Sequence, residues 1–196
     1  LFLMLCCGAL CHSLHAFETR IVESVVKPEA IIWSSDTTGQ YIVNPQHLLD
    51  SFSGQVSINN SRHNTLFRNS DGHTPSILLD FGKEIYGSVK IYTGLGRFHE
   101  ALRMRVCMGE SVSEAMSSVD IPDNPQNPTN EHSVRDFVMS LPWLGSAESG
   151  KSGFRFVRID FIDAGKELPL IHVEARAFMR DLPQAGSFDC SDSRLT

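Results

Sequence analysis

Leu102-Arg103-Met104-Arg105-Val106-Cys107-Met108 sets an apolar residue at every second position. Successive side chains of a strand point to opposite faces, so this period of two predicts a half-buried β-strand. Leu102, Met104, Val106 and Met108 would share its inner face. Upstream, Ser76-Ile77-Leu78-Leu79-Asp80-Phe81 stops at Gly82, and Ser88-Val89-Lys90-Ile91-Tyr92 runs into a Gly94-Leu95-Gly96 turn, which predicts two further strands. Downstream, residues 134–141, 154–162 and 170–178 read the same way, with Val157, Ile159 and Phe161 alternating in the second of these. Short strands punctuated by Gly and Pro, with few long amphipathic helices, predict an all-β chain folded as an antiparallel β-sandwich or jelly roll.

Helices are expected to be short. Asn44 before Pro45 reads as an N-cap with proline in the first turn, giving one or two turns to Leu49. Ser111 and Glu114 form a Ser-x-x-Glu capping box that opens a brief helix near Met116. Ile121-Pro122-Asp123-Asn124-Pro125-Gln126-Asn127-Pro128-Thr129-Asn130 must be a loop, because proline removes a backbone donor and cannot sit inside a helix or a central strand.

The 196 residues suffice for one substantial domain with extensions. Residues 1–16 are apolar and uncharged, and the first charge is Glu18. The run is too short for a bilayer-spanning helix of about 20 residues, and it fits a secretory signal with the small Ala16 at the cleavage position. Export to a periplasmic or extracellular space is therefore expected. Cys6, Cys7 and Cys11 would leave with that segment, so the mature chain keeps Cys107 and Cys190, without metal-site spacing. Cys107, inside an apolar strand, reads as a small buried hydrophobe. The expected division is residues 1–16 as signal, 17–70 as an extension partly joined to the sandwich, 71–180 as the sandwich, and 181–196 as a linker. In that linker, Asp192 or Ser191 would cap a helix cut off in its first turn, which cannot stand alone and points to a following module.

Seventeen basic against twenty-three acidic residues give a net charge of -6, without the dense basic face that nucleic acid or an anionic membrane requires. Gly145-Ser146-Ala147-Glu148-Ser149-Gly150-Lys151-Ser152 satisfies the P-loop pattern. A true P-loop needs a helix after it, whose N-terminus faces the phosphates. Here the strand-like Gly153-Phe154-Arg155-Phe156-Val157 follows, so Gly145, Gly150, Lys151 and Ser152 are read as a false match in a hairpin loop, and no nucleotide is expected. Glu110, Glu114, Asp160 and Asp163 are the conceivable carboxylate pairs, but each is read as solvated or capping. His47, His63, His73, His99, His132 and His172 show no metal-ligand spacing, and no metal or cofactor is expected. Trp143, in a Pro-Trp-Leu-Gly turn, and then Trp33 are the candidate sugar-stacking residues; a Trp near a loop also commonly plugs the end of a sandwich.

Leu78-Leu79-Asp80-Phe81-Gly82-Lys83-Glu84 and Phe154-Arg155-Phe156-Val157-Arg158-Ile159 resemble strands of galactose-binding-like jelly rolls. Taken in order with Gly109-Glu110-Ser111-Val112-Ser113-Glu114-Ala115 and Gly186-Ser187-Phe188-Asp189-Cys190-Ser191-Asp192, they resemble the β-sandwich region of bacterial α-L-rhamnosidases over residues 75–196. That resemblance implies a parent enzyme whose (α/α)6 barrel, outside this chain, carries the catalytic carboxylates and packs on the sandwich. The parent would hydrolyse terminal α-L-rhamnosyl bonds with inversion, and this chain would hold no catalytic residue. A stand-alone carbohydrate-binding module or adhesin-like domain is the alternative, and in either case the partner is a carbohydrate.

Overall fold

One strand organises the architecture. In the computed structural model, which describes residues 20–54, 64–117, 135–182, 186–187 and 190–191, ten strands run in chain order. They are β1 (Ile21–Val26), β2 (Ala30–Ser34), β3 (Ile42–Val43), β4 (Thr65–Asn69), β5 (Ser76–Thr93), β6 (Leu102–Gly109), β7 (Asp136–Leu141), β8 (Gly145–Glu148), β9 (Ser152–Phe161) and β10 (Lys166–Arg180). The pairings among β2 to β10 are all antiparallel. Strand β5 has 18 residues, about three times the usual length. Its first part is flanked by β2 and β9, with Leu79 opposite both Ile31 and Val157. Its last part is flanked by β10 and β8, with Ile91 opposite both Val173 and Ala147. β5 thus passes from one layer, β2-β5-β9-β6-β7, into the other, β3-β4-β10-β5-β8, with β1 paired to β10. A strand that changes sheets at a bend is how a sandwich makes a corner.

The corner is written in the sequence at Gly82. The β5–β9 register breaks between Asp80 and Ile85, and Gly82 has φ +76°, a conformation that favours glycine. Asp80 Oδ1 accepts the Gly82 N–H at 2.7 Å, and a Cβ on Gly82 would lie 2.2 Å from Glu29 Oε2. The two strands expected on either side of Gly82 are consequently one bent strand, because β9 pairs with it both before and after the glycine while β2 gives way to β10 on its other edge.

Ile77, Leu79, Met104, Val106, Val157 and Ile159 from the first layer meet Phe67, Val89, Ile91, Leu168, Leu170 and Val173 from the second in one core. Each large apolar side chain buried there contributes roughly 1.5–3 kcal/mol. The alternation of β6 holds: Leu102, Met104, Val106 and Met108 are all buried. Helix α1 (Val112–Met116) covers part of the outer face of the first layer, packing Ala115 and Met116 against Leu78 and Phe156. Its capping box is present in altered form. Ser111 Oγ accepts the Glu114 N–H at 3.2 Å, while Glu114 Oε2 accepts the N–H of Glu110, one residue before the cap, at 2.8 Å. Pro45–Leu49 is a 3-10 helix anchored by the fully buried Leu48, and Asn44 before it takes a left-handed conformation without a side-chain cap.

The chain divides into two compact units. Residues Glu23–Met179 hold the core and the groove described below. The other unit joins Leu1–Val22 to Arg180–Thr196, and in it the Asp181 N–H donates to the Arg20 carbonyl at 2.8 Å. The apolar segment 1–16, the 121–130 loop and residues 192–196 lie outside the described residues.

Candidate functional site

Antiparallel register brings distant residues side by side at one end of the second layer. On β4 and β10, Leu66 pairs with Pro169 and Arg68 with Glu167, while their neighbours Phe67 and Leu168 point into the core. The outward set therefore consists of an apolar pair next to a charged pair. The loop that leaves β5 forms the wall: the Gly94 N–H donates to the Pro169 carbonyl at 2.9 Å. A Cβ at Gly94 would collide with Asn64 Nδ2 at 2.5 Å, so glycine allows this close approach. Between them lies a groove of about 460 Å³ lined by Asn64, Leu66, Arg68, Arg97, Glu167 and Pro169, among others. That volume is in the range of small-molecule pockets.

The polar groups of the groove are held from behind. Arg68 Nε donates to Glu167 Oε1 at 3.0 Å, and its backbone N–H donates to the Tyr41 carbonyl at 2.8 Å. The 36–42 loop that presents Tyr41 is tied by Asp36, whose carboxylate accepts N–H groups from Thr38, Gly39, Tyr41 and Ile42. Burial opposes the charge of Asp36, but the hydrogen bonds from Thr38, Ile42 and Tyr41 outweigh it and hold the carboxyl well below the usual range. Arg97 is 84% exposed and reaches Glu167 only at 3.9 Å.

Trp143 stands beside this groove. Its indole N–H donates to the Gly96 carbonyl at 3.0 Å, which braces the groove wall, and its ring lies 4.7 Å from that of His99. With 37% exposure it both packs against the loop and offers a face. A shallow notch lined by Thr93, Phe98, Pro142 and Trp143 shares Gly96, Glu167 and Pro169 with the groove. Trp33 is also partly exposed, but it pairs with Leu78 near the other end of β5, so the two tryptophans do not share a site. The sequence reading singled out Trp143 and missed Asn64, Arg68, Arg97 and Glu167. Their separation along the chain leaves no spacing signal, and only the β4–β10 register unites them.

The other singled-out residues have structural surroundings. Gly145–Glu148 is strand β8, paired with β5, and Ser152 opens strand β9 where a P-loop would open a helix. Gly150 lies between these strands, and Lys151 Nζ sits 3.6 Å from the Phe178 ring centroid. Glu114 pairs with Arg135, and Asp163 accepts the Arg103 N–H at 2.6 Å. Asp160 is not solvated as the sequence suggested: it is 7% exposed and held by Arg158 and Ser76. Cys107 belongs to the same polar cluster, accepting from Arg158 Nη2 at 3.2 Å, and burial pushes its thiol up to about 12. Among the described residues, no group of three or more His, Cys, Asp or Glu is placed to hold a metal.

The fold and groove place the chain in the class of antiparallel β-sandwiches with an open groove at one end. No protein-family model matches the sequence, and neither does any curated protein. Solved structures share the fold. A rhamnosidase from Klebsiella oxytoca with rhamnose bound superposes with TM-score 0.50 at 14% identity, over 82% of this chain and 30% of that one. A GH78 family rhamnosidase of Bacillus sp. GL1 gives TM-score 0.50 at 15% identity, over 77% of this chain and 14% of that one. A truncated AlyQ with CBM32 and alginate lyase domains gives TM-score 0.50 at 14% identity, over 86% and 36%. This chain thus spans about a third or less of the two rhamnosidases. The expected all-β sandwich is the observed fold, and rhamnosidases are among the proteins that carry it.

Proposed function

We propose that this chain is the carbohydrate-contacting sandwich of a larger exported glycoside hydrolase related to α-L-rhamnosidases. Residues 1–16 act as its signal, and hydrolysis belongs to paired carboxylates on a barrel outside the chain. The observation that carries the reading is the groove. Leu66 and Leu95 offer an apolar surface for the C–H face of a pyranose, while Asn64, Arg68, Glu167 and Arg97 offer donors and acceptors to its hydroxyls. A few polar groups around an apolar base fix orientation as well as affinity. The fold shared with solved rhamnosidases supports the parent's class.

The second reading, a stand-alone carbohydrate-binding module, is favoured by one fact: every residue of the groove lies within the unit Glu23–Met179. Both readings share the same binding test. Titration of the chain with rhamnose, fucose and galactose, followed by tryptophan fluorescence, is expected to give a saturable change with at least one sugar. The change should be lost in Trp143→Phe and kept in Trp33→Phe. A flat response to all three in the unmodified chain would count against the groove as a site for these neutral sugars. The chain alone is expected not to turn over an aryl α-L-rhamnoside, and turnover would place catalysis within it.

A further inference from the structure

The groove is charged in a way that its sugar-binding role does not require. Arg68 and Arg97 face a single carboxylate, Glu167, which leaves one positive charge uncompensated among its described lining residues. The excess stands on an acidic chain of net charge -6. Nearby Lys166 adds nothing to it, since it pairs with Glu100. Glu167 Oε1 is taken by Arg68 Nε at 3.0 Å, whereas Arg97 Nε stays 3.9 Å from Oε2, beyond hydrogen-bond distance, with its side chain 84% exposed. Arg97 therefore presents a planar fork of donors, suited to bidentate pairing with a carboxylate, at the rim of an apolar surface.

We infer that the groove selects acidic glycans, with Arg97 pairing the carboxylate of a uronic acid residue whose ring lies on Leu66 and Leu95. This rests on the reading of the groove as a carbohydrate site and names its ligand class. Arg68, fixed by Glu167 and by the Gln40 carbonyl at 3.4 Å, serves as a hydroxyl donor and positions the Glu167 carboxylate.

The test is calorimetric titration of the chain with trimers of galacturonic, glucuronic and mannuronic acid, each beside its methyl ester, and with rhamnose, fucose and galactose. Esterification removes the charge and keeps the sugar skeleton. At least one acidic trimer should bind roughly tenfold or more tighter than its ester, the scale of one charge-assisted hydrogen bond. That margin should shrink with added salt, vanish in Arg97→Gln and partly return in Arg97→Lys. Acid and ester binding equally, unchanged in Arg97→Gln, would overturn the charge selection and leave the sugar-binding reading standing. Binding of the neutral sugars alone would do the same. No binding by any probe would overturn both.

Discussion

Two arginine clusters lie on the outer faces of the two layers, and their partners close around them to different degrees. On the first layer, Arg158 is 8% exposed, and its guanidinium donates to the Met116 carbonyl at 2.8 Å, Cys107 Sγ at 3.2 Å and Asp160 Oδ2 at 3.2 Å. Ser76 donates to the other oxygen of Asp160, and helix α1 roofs the neighbouring surface. At the end of the second layer, Arg68 is partnered, Arg97 is not within hydrogen-bond reach of its nearest carboxylate, and a groove opens between them. A closed network of buried charges has no capacity left for a ligand and acts on the fold. An open one is screened by water, does little for stability and keeps its donors for a partner.

That contrast breaks most easily at the closed cluster. Arg158→Ala would leave Asp160 buried without its cation, and a loss of roughly 3–5 kcal/mol is expected in denaturant unfolding. Arg97→Gln should change the stability from the same unfolding curves by no more than about 0.5 kcal/mol. Comparable losses in the two variants would erase the distinction.

Acid sharpens it next. His172 is 3% exposed, stacked on Phe52 at 4.9 Å and 3.7 Å from Glu174, on the outward face of β10 beyond the groove. Burial, aided by the charge of Lys27, holds its imidazole down at about 4 from an ordinary 6.5. The folded state therefore binds fewer protons than the unfolded one between these values. The resulting stability is fully present above pH 6.5 and is lost as pH falls toward 4, by up to about 3 kcal/mol. Unfolding curves across that range should lose this pH dependence in His172→Phe if burial of the neutral ring is the cause. An unchanged slope would assign it to other groups.

The sequence carried the layers better than the site. Alternation in residues 102–108 and 154–162 reports which face of each strand meets the core, but not burial itself, since Cys107, Arg158 and Asp160 on the opposite face are buried as well. Gly82 was legible as a break but not as a corner, since the change of partners along β5 depends on β2, β8, β9 and β10 together. Strand β8 was hidden in Gly145-Ser146-Ala147-Glu148, residues of low β-propensity that become a strand by pairing with Lys90 to Thr93. Trp143 was legible because a tryptophan in a Pro-Gly turn is conspicuous on its own. Arg68 and Glu167 were not, because their meaning lies in being opposite each other across 99 positions of chain.

An open groove is best probed by a residue-resolved map of ligand contact from amide and indole resonances. Titrated with an acidic trimer, the shifts should concentrate at Asn64, Leu66, Arg68, Leu95, Arg97 and the Trp143 indole, with Ser76, Cys107 and Arg158 unmoved. Shifts gathered around Trp33 or around the Arg158 cluster, with the groove silent, would contradict it.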